Sequence, residues 1–274
     1  MIFVDGHVHI YDCYDMDALL DAAFVNFRAA SEKAGVEKSD ALYVMLLVEG
    51  ETDRWFSRLC CEAEKDGEFV RQVSSTWNVQ IDKKYTSLIA RTTRDADAEL
   101  IIIAGQQLVS REKIEVLNLF CRSRVANGLS LQETVFTIQQ DGGIVVLPWG
   151  AGKWLGKRGR VISDIIDAQW KDGFFLGDNG GRPHLWPDPP LFAMAQKYGI
   201  AVLPGSDPLP LTNEARRIGS YGFLLPNETR EKQNIVMQLK TVLLEHPKGQ
   251  PLVSYGKLQH NMRFLVNQFK LRMS

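Results

Sequence analysis

Short apolar runs alternate with longer amphipathic stretches along most of the chain. Runs of apolar residues bounded by polar or glycine residues predict buried strands, and apolar residues at helical spacing predict helices. Strands are predicted at 2–4, 41–48, 100–105, 113–120, 143–148, 173–178 and 200–205, a hairpin at 69–93, and helices at 16–35, 52–67, 130–143, 161–173, 189–199, 229–245 and 257–269. Strands that alternate with helices favour parallel βα units. Without a repeat or a low-complexity linker, the pattern predicts one domain over residues 1–274, with C-terminal helices from about 227 packed outside it.

The first predicted strand runs directly into Asp5, His7 and His9. Side chains alternate between the two faces of a strand, so these three are expected on one face. Two imidazoles that converge on one face suit a divalent transition metal. The alternative is a half-buried edge strand whose histidines are only hydrogen-bonded.

Composition and charge give little further direction. The chain has 274 residues, 45% of them hydrophobic and 24% charged, and a net charge of -1. This balance indicates neither nucleic acid nor an anionic membrane as partner, and no apolar run approaches the roughly 20 residues of a membrane span. No signal peptide is recognised. Cys13, Cys60, Cys61 and Cys121 lack the spacing of a zinc site, which predicts reduced thiols in a cytoplasmic protein.

Polar and glycine-rich residues follow nearly every predicted strand, at the end where parallel barrels place their sites. Asp207 in GSDPLP is the best candidate for a third metal ligand, with an Asx turn before Pro208 as the alternative. Asp178 in LGDNGG is a candidate ligand, a catalytic base or a turn residue. Glu49 in VEGETD is a candidate ligand, or an acidic residue at the start of the following helix.

The stretch PWGAGKW contains a glycine-rich loop that fails as a nucleotide-binding motif. Leu147 and Trp154 stand where that motif needs a glycine and a hydroxyl. The loop at 149–160 still carries four cations among four glycines, which fits a lid over an anionic substrate or a solvated surface stretch. Lys153 and Arg182 are the candidate substrate-binding cations.

Three segments together resemble the PHP family, the polymerase and histidinol phosphatase-like metallo-phosphoesterases. DGHVH at 5–9 is similar to the first family motif, 130–148 to a helix and strand that usually end in His-Pro, and KYGIAVLPGSD at 197–207 to the last motif. The resemblance implies an α/β fold, a distorted (β/α)7 TIM-like barrel of PHP type. It also implies metal ions at the C-terminal rim and hydrolysis of phosphate esters.

The departures from the family pattern reduce the expected metal site. Gly105-Gln106-Gln107 stands where the family has Gly-x-Glu, Pro148 and Trp149 stand at the His-Pro position, and no histidine follows Asp207 closely. With five histidines in the chain, a complete three-metal centre is not expected. The prediction is one or two divalent ions, Zn, Mn or Fe, held by His7, His9, Asp207 and Glu49.

The sequence therefore predicts a metal-dependent hydrolase acting on a small anionic or phosphorylated substrate, with Asp178 and Asp207 as catalytic carboxylates. The first alternative is a catalytically inactive PHP-like protein without metal that binds a ligand or partner, as the neutral Gln107 favours. The second is an amidohydrolase-type metal-dependent hydrolase, although that superfamily wants two more histidines on middle strands. The sequence leaves the oligomeric state and the substrate open.

Overall fold

The computed structural model describes residues 1–65, 70–82, 87–95, 97–120, 123–168, 172–226 and 235–273. Within these ranges the strands are β1 (Ile2–Val8), β2 (Leu42–Glu49), β3 (Val70–Gln72), β4 (Trp77–Asp82), β5 (Ser87–Thr92), β6 (Glu99–Val109), β7 (Glu115–Leu119), β8 (Ile144–Pro148), β9 (Phe174–Asn179), β10 (Val202–Gly205), β11 (Tyr221–Leu225) and β12 (Val253–Gly256). The helices are α1 (Met16–Lys33), α2 (Trp55–Lys65), α3 (Leu131–Gln140), α4 (Lys157–Asp167), α5 (Pro190–Lys197), α6 (Ile235–Leu244) and α7 (Asn261–Met273). Helix α3 begins at a capping box in which Ser130 and Glu133 satisfy each other's backbone N–H groups.

The described strands form one mixed sheet. Its main path of hydrogen-bonded neighbours is β10-β9-β8-β7-β6-β2-β1-β11-β12, and β3, β4 and β5 branch from β6 as an antiparallel extension. β1, β2 and β6 run parallel to one another, as do β8, β9 and β10. The predicted strands and helices are thus largely present, and the mixed α/β class is confirmed.

The sheet curls until β10, at one end of the path, lies against β1. The backbone N–H of Asp207, just beyond β10, donates to the carbonyl oxygen of His7 over 2.9 Å. The contact is so close that a Cβ atom on Gly6 would lie 2.7 Å from the carbonyl oxygen of Pro204. The result is a nearly closed, barrel-like sheet whose closing seam lies beside the histidines of β1.

The strand number and order differ from the expected (β/α)7 pattern. β7 follows β6 through a short connection and runs antiparallel to both of its neighbours, β6 and β8. β11 and β12 extend the sheet beyond β1 in antiparallel pairing. The sequence reading missed both of these late strands, because Tyr221–Leu225 is short and Val253–Gly256 is mostly exposed. Residues 227–234 and 83–86, which include part of a predicted helix and the predicted hairpin turn, lie outside the described residues.

Alternation along the barrel strands separates an inner apolar face from an outer one. One buried cluster takes side chains from every main-path strand from β1 to β11, as the interior of a barrel does; Val44 and Leu46 of β2 belong to it. Met45 and Leu47 of the same strand lie in a second cluster with α1. A third cluster packs α3, α4 and α5 on the outside of β8 and β9. No helix in the described parts of the chain has the length and apolar character that a bilayer crossing needs.

Candidate metal centre

A bulge in β1 decides which of its polar side chains face the barrel interior. Asp5 pairs with Met45, whereas Val8 pairs with Leu47, so three steps along β1 match two along β2. Phe3 precedes this irregularity and Val8 follows it, yet both lie in the outer cluster. His7 therefore points inward although Asp5 points outward. Bulges commonly re-aim side chains in this way beside functional sites.

His7, His9 and Asp207 converge at the inner rim of the barrel. The two Nε2 atoms of the histidines are 3.0 Å apart. Asp207 Oδ1 lies 3.6 Å from Nε2 of His7 and 3.7 Å from Nε2 of His9. Both histidines are buried, and one ligand atom from each residue falls within 4.8 Å of the others. Among the residues the structure describes, this group alone is spaced to hold a metal ion.

The spacing of these three donor atoms fits one divalent ion. Ligands at 2.0–2.1 Å from a tetrahedral metal are separated by about 3.4 Å, and the three distances here lie on either side of that value. Two imidazoles and one carboxylate also suit the transition metals expected from the sequence. Burial, together with the neighbouring His7, lowers the pKa of His9 to about 4, so its imidazole is neutral and has a lone pair to offer.

Asp207 owes its position to an unusual backbone conformation and to the barrel seam. Its φ angle is +43°, in the left-handed region that aspartate tolerates better than most residues. The side-chain amide of Asn179 donates to Asp207 Oδ2. The same Nδ2 donates to the carbonyl oxygen of Trp149 over 3.1 Å, and Oδ1 of Asn179 accepts from Gly181 N over 2.9 Å. Asn179 is therefore locked in place and holds the carboxylate toward the histidines.

Gln107, which stands where the sequence resemblance leads to a glutamate ligand, faces inward beside His7. Its Oε1 lies 3.2 Å from Nε2 of His7. Its neighbour Gln106 faces the other way and bonds both backbone groups of Val125, at 2.8 and 3.0 Å. A neutral amide therefore touches a candidate ligand. Such an amide oxygen accepts a hydrogen bond and adds no negative charge beside the candidate ligands.

Glu49 does not reach the metal centre. It follows Val48 on β2, and because Val48 faces inward, Glu49 faces outward. Its Oε1 accepts from the backbone N–H of Phe56 over 2.6 Å, at the start of α2. Burial raises the pKa of this carboxyl. The alternative interpretation of Glu49, an acidic residue at a helix N-terminus, is the one that its position matches.

Asp178 and Arg182 also lie away from the metal centre, bound to each other. Asp178 precedes the inward-facing Asn179 on β9 and therefore points outward. Arg182 donates to its two oxygens through Nε at 2.8 Å and Nη2 at 2.9 Å, and Tyr221 adds a hydroxyl donor at 2.8 Å. Both charged side chains are less than a tenth exposed. The predicted base and the predicted anion-binding cation are instead a buried ion pair that ties the β9 turn to β11.

The cationic loop is more structured than the sequence suggested. Lys153 forms an ion pair with Glu115 at the start of β7, and Trp154 is buried against the ring of Phe192. α4 begins at Lys157, so Arg158 and Arg160 belong to a helix. Trp149, the first residue of the loop, accepts a hydrogen bond from Asn179 at its carbonyl oxygen. Lys153 therefore lies near the rim, but its charge is already met by a carboxylate.

Asp5 supports the site through the backbone and not through an imidazole. Its carboxylate accepts from the backbone N–H groups of Ser206 and Gly219, each at 2.8 Å, and from that of His7 at 3.3 Å. These three groups belong to β1, to the segment after β10 and to the turn before β11. Burial raises the pKa of Asp5 to about 6, although the hydrogen bonds oppose that shift. One carboxylate thus joins three segments behind the metal centre.

Comparisons with known proteins identify a shared fold. No family model and no curated protein matches the sequence. Among solved structures, PsfC from Pseudomonas syringae PB-5123 is similar over 99% of this chain and 98% of its own, with 13% sequence identity and a TM-score of 0.52. Endonuclease Q, solved with a 27-mer duplex substrate, matches 86% of this chain and 56% of its own, at 12% identity and a TM-score of 0.42. The likeness to PsfC shows that the two chains share a fold.

Proposed function

We propose that this protein is a metal-dependent hydrolase of PHP-like type with a single divalent ion held by His7, His9 and Asp207. The observation that carries the proposal is the convergence of these three donor atoms, with spacings of 3.0, 3.6 and 3.7 Å, at the rim of a barrel-like sheet. Catalytic zinc sites typically use three protein ligands and leave a position open for water or substrate. A purely structural site would be expected to supply a fourth ligand.

The residues around the ligands complete the arrangement. A divalent ion held there would act as a Lewis acid toward a phosphoryl oxygen and would make a water molecule more acidic. Asn179 holds one oxygen of Asp207, so the other is left for the ion. The ring of Tyr11 lies 5.6 Å from that of His9 and covers one side of the site. A phosphate ester as substrate rests on the resemblance of 5–9 and 197–207 to the PHP motifs.

A ligand-binding protein without catalysis is the second candidate, and Gln107 is the observation that favours it. Its amide touches His7 where the family has a carboxylate, which leaves one negative charge fewer to hold a hard cation. Here the same rim would bind an anionic ligand without turning it over.

Metal content and turnover measured together test the proposal. The purified protein, reloaded with Zn²⁺ or Mn²⁺, is expected to hold about one ion per chain and to hydrolyse p-nitrophenyl phosphate or bis(p-nitrophenyl) phosphate. His7→Ala should lose both the ion and the turnover. His184→Ala is the matched control, because His184 is exposed and its backbone N–H bonds Gln259 far from the ligands. The absence of bound metal would refute the hydrolase and favour the second candidate, whereas bound metal without turnover of either ester would refute hydrolysis of these phosphate esters.

A further inference from the structure

Helix α7 turns an apolar stripe toward solvent. Met262, Leu265, Val266, Phe269 and Met273 are 63%, 59%, 47%, 65% and 73% exposed, and we call these five residues the α7 apolar face. Their spacing of 3, 4, 7 and 11 residues from the first places them on one side of a helix. A stripe of this kind normally faces a protein core. Here it is the side directed away from the barrel.

The opposite side of α7 holds the helix on the barrel by polar contacts. Asn267 is buried, and its Nδ2 donates to Oε1 of Glu214 over 3.0 Å. Arg263 donates to the same oxygen, also over 3.0 Å. Phe264 packs edge-on against Trp186, which is itself 45% exposed. These contacts leave the α7 apolar face uncovered, and an exposed apolar patch of this kind marks an interaction surface.

The charged residues of the C-terminal segment are all cationic, and of those on α7 Arg263 is paired with Glu214 from outside the segment. Residues 247–274 contain Lys248, Lys257, Arg263, Lys270 and Arg272 and no aspartate or glutamate. At 100° per residue, Lys270 and Arg272 fall on the two flanks of the α7 apolar face. The net charge of -1 for the whole chain conceals this segregation, which is why total charge gave no sign of an anionic partner.

We propose that the α7 apolar face docks onto the surface of a bilayer that carries anionic phospholipids, with the helix lying in the interface plane. Exposed Phe, Leu, Val and Met side chains enter the boundary between headgroups and acyl chains, and flanking cations contact the headgroups. A second copy of the chain fits less well. It would bring Lys270 and Arg272 against a helix and flanking segment without an acidic side chain. A lipid surface offers an apolar layer to the exposed side chains and anionic headgroups to the flanking cations.

Vesicle flotation with the full-length protein tests this docking. We expect flotation with phosphatidylcholine vesicles that contain phosphatidylserine, little with phosphatidylcholine alone, and a decrease as salt is added. The double variant Lys270→Gln/Arg272→Gln should bind about 30-fold more weakly, at about 1 kcal/mol for each cation. Phe269→Ser should also bind at least about tenfold more weakly. Phe136→Ser is the matched control, since Phe136 is 56% exposed on α3, away from α7, and its binding should not change.

Three outcomes would overturn the proposal. The first is no binding to either kind of vesicle by a folded, monomeric protein, which would leave the face to a protein partner. The second is a dimer that Phe269→Ser dissociates, which would assign the face to a second copy. The third is equal vesicle binding by Phe269→Ser and the unmodified chain. Thermal unfolding of each variant checks that folding is retained, as expected for substitutions of exposed residues.

Discussion

His7 and Asp207 are joined through both backbone and side chain. The N–H of Asp207 donates to the carbonyl oxygen of His7 over 2.9 Å, and Asp207 Oδ1 lies 3.6 Å from Nε2 of the same histidine. The first contact closes the seam between β1 and β10, and the second forms part of the candidate metal centre. An ion bound between these side chains would therefore add a second link between β1 and the segment that follows β10.

Metal binding is expected to stabilise the fold for this reason. At a metal concentration 100 times the dissociation constant, binding to the native state alone adds about 2.7 kcal/mol, or about 5–10 °C in the midpoint of thermal unfolding. Differential scanning calorimetry with and without Zn²⁺ or Mn²⁺ measures the shift. His9→Ala should abolish it, while His246→Ala should retain it, because His246 is a half-buried histidine whose Nε2 contacts the carbonyl oxygen of Gln250. An equal shift in both variants would place the ion elsewhere.

Asn179→Ala should weaken metal binding by about 10–100-fold, the usual effect of removing a group that orients a ligand. Asp207 would keep its carboxylate but lose the amide that holds one of its oxygens. Isothermal titration calorimetry with Zn²⁺ or Mn²⁺ gives the affinity. Asn26→Ala is a suitable control, because its amide bonds the carbonyl oxygens of Arg216 and Ile218 outside the site. Similar affinities for the two variants would mean that Asp207 does not need this support.

The sequence predicted the three converging candidate ligands, but it did not show which of the other polar residues lie beside them. HxH and the late GSD are short, local patterns at strand ends, and the barrel brings those ends together. Gln107 and Asn179 face the inside of the barrel, whereas Glu49 and Asp178 face outward. Predicting this difference requires knowing which face of each strand lies inside. The strands are apolar on both faces, so their sequences do not identify the inner one.

The bulge in β1 was equally hidden from the sequence. Strict alternation places Asp5 on the face of His7, and the extra residue at the bulge moves it to the opposite face. The bulge depends on how β1 pairs with β2 and on the close approach of Gly6 in β1 to Pro204 in β10. The antiparallel β7 and the late strands β11 and β12 depend on long-range pairing in the same way. Local periodicity does not report such pairing.

Arg182→Ala is expected to destabilise the protein by about 3–5 kcal/mol, since it leaves the buried Asp178 without its cation. The double variant Asp178→Leu/Arg182→Met should be less destabilised than Arg182→Ala, because no buried charge remains. Urea unfolding provides the free energies. Metal affinity should stay unchanged in both variants, as neither side chain faces the ligands. A stable Arg182→Ala with a raised KM for a phosphate ester would instead restore Arg182 to the role that the sequence suggested.

Asp5→Ala should lower the free energy of unfolding of the metal-free protein by about 3 kcal/mol or more. The backbone N–H groups of Ser206 and Gly219 are buried and donate to this carboxylate over 2.8 Å, and each hydrogen bond to a charged group contributes about 1.5–3 kcal/mol. Asp5→Asn should recover only part of the loss, because its amide NH₂ faces a second donor where the carboxylate had an acceptor. Urea unfolding in the presence of EDTA measures both variants without any contribution from bound metal. His7→Ala, compared in the same experiment, should be destabilised less than Asp5→Ala if Asp5 acts by joining three backbone segments. If Asp5→Ala lost no stability in EDTA and lowered stability only after metal was added, Asp5 would instead act through the imidazole of His7.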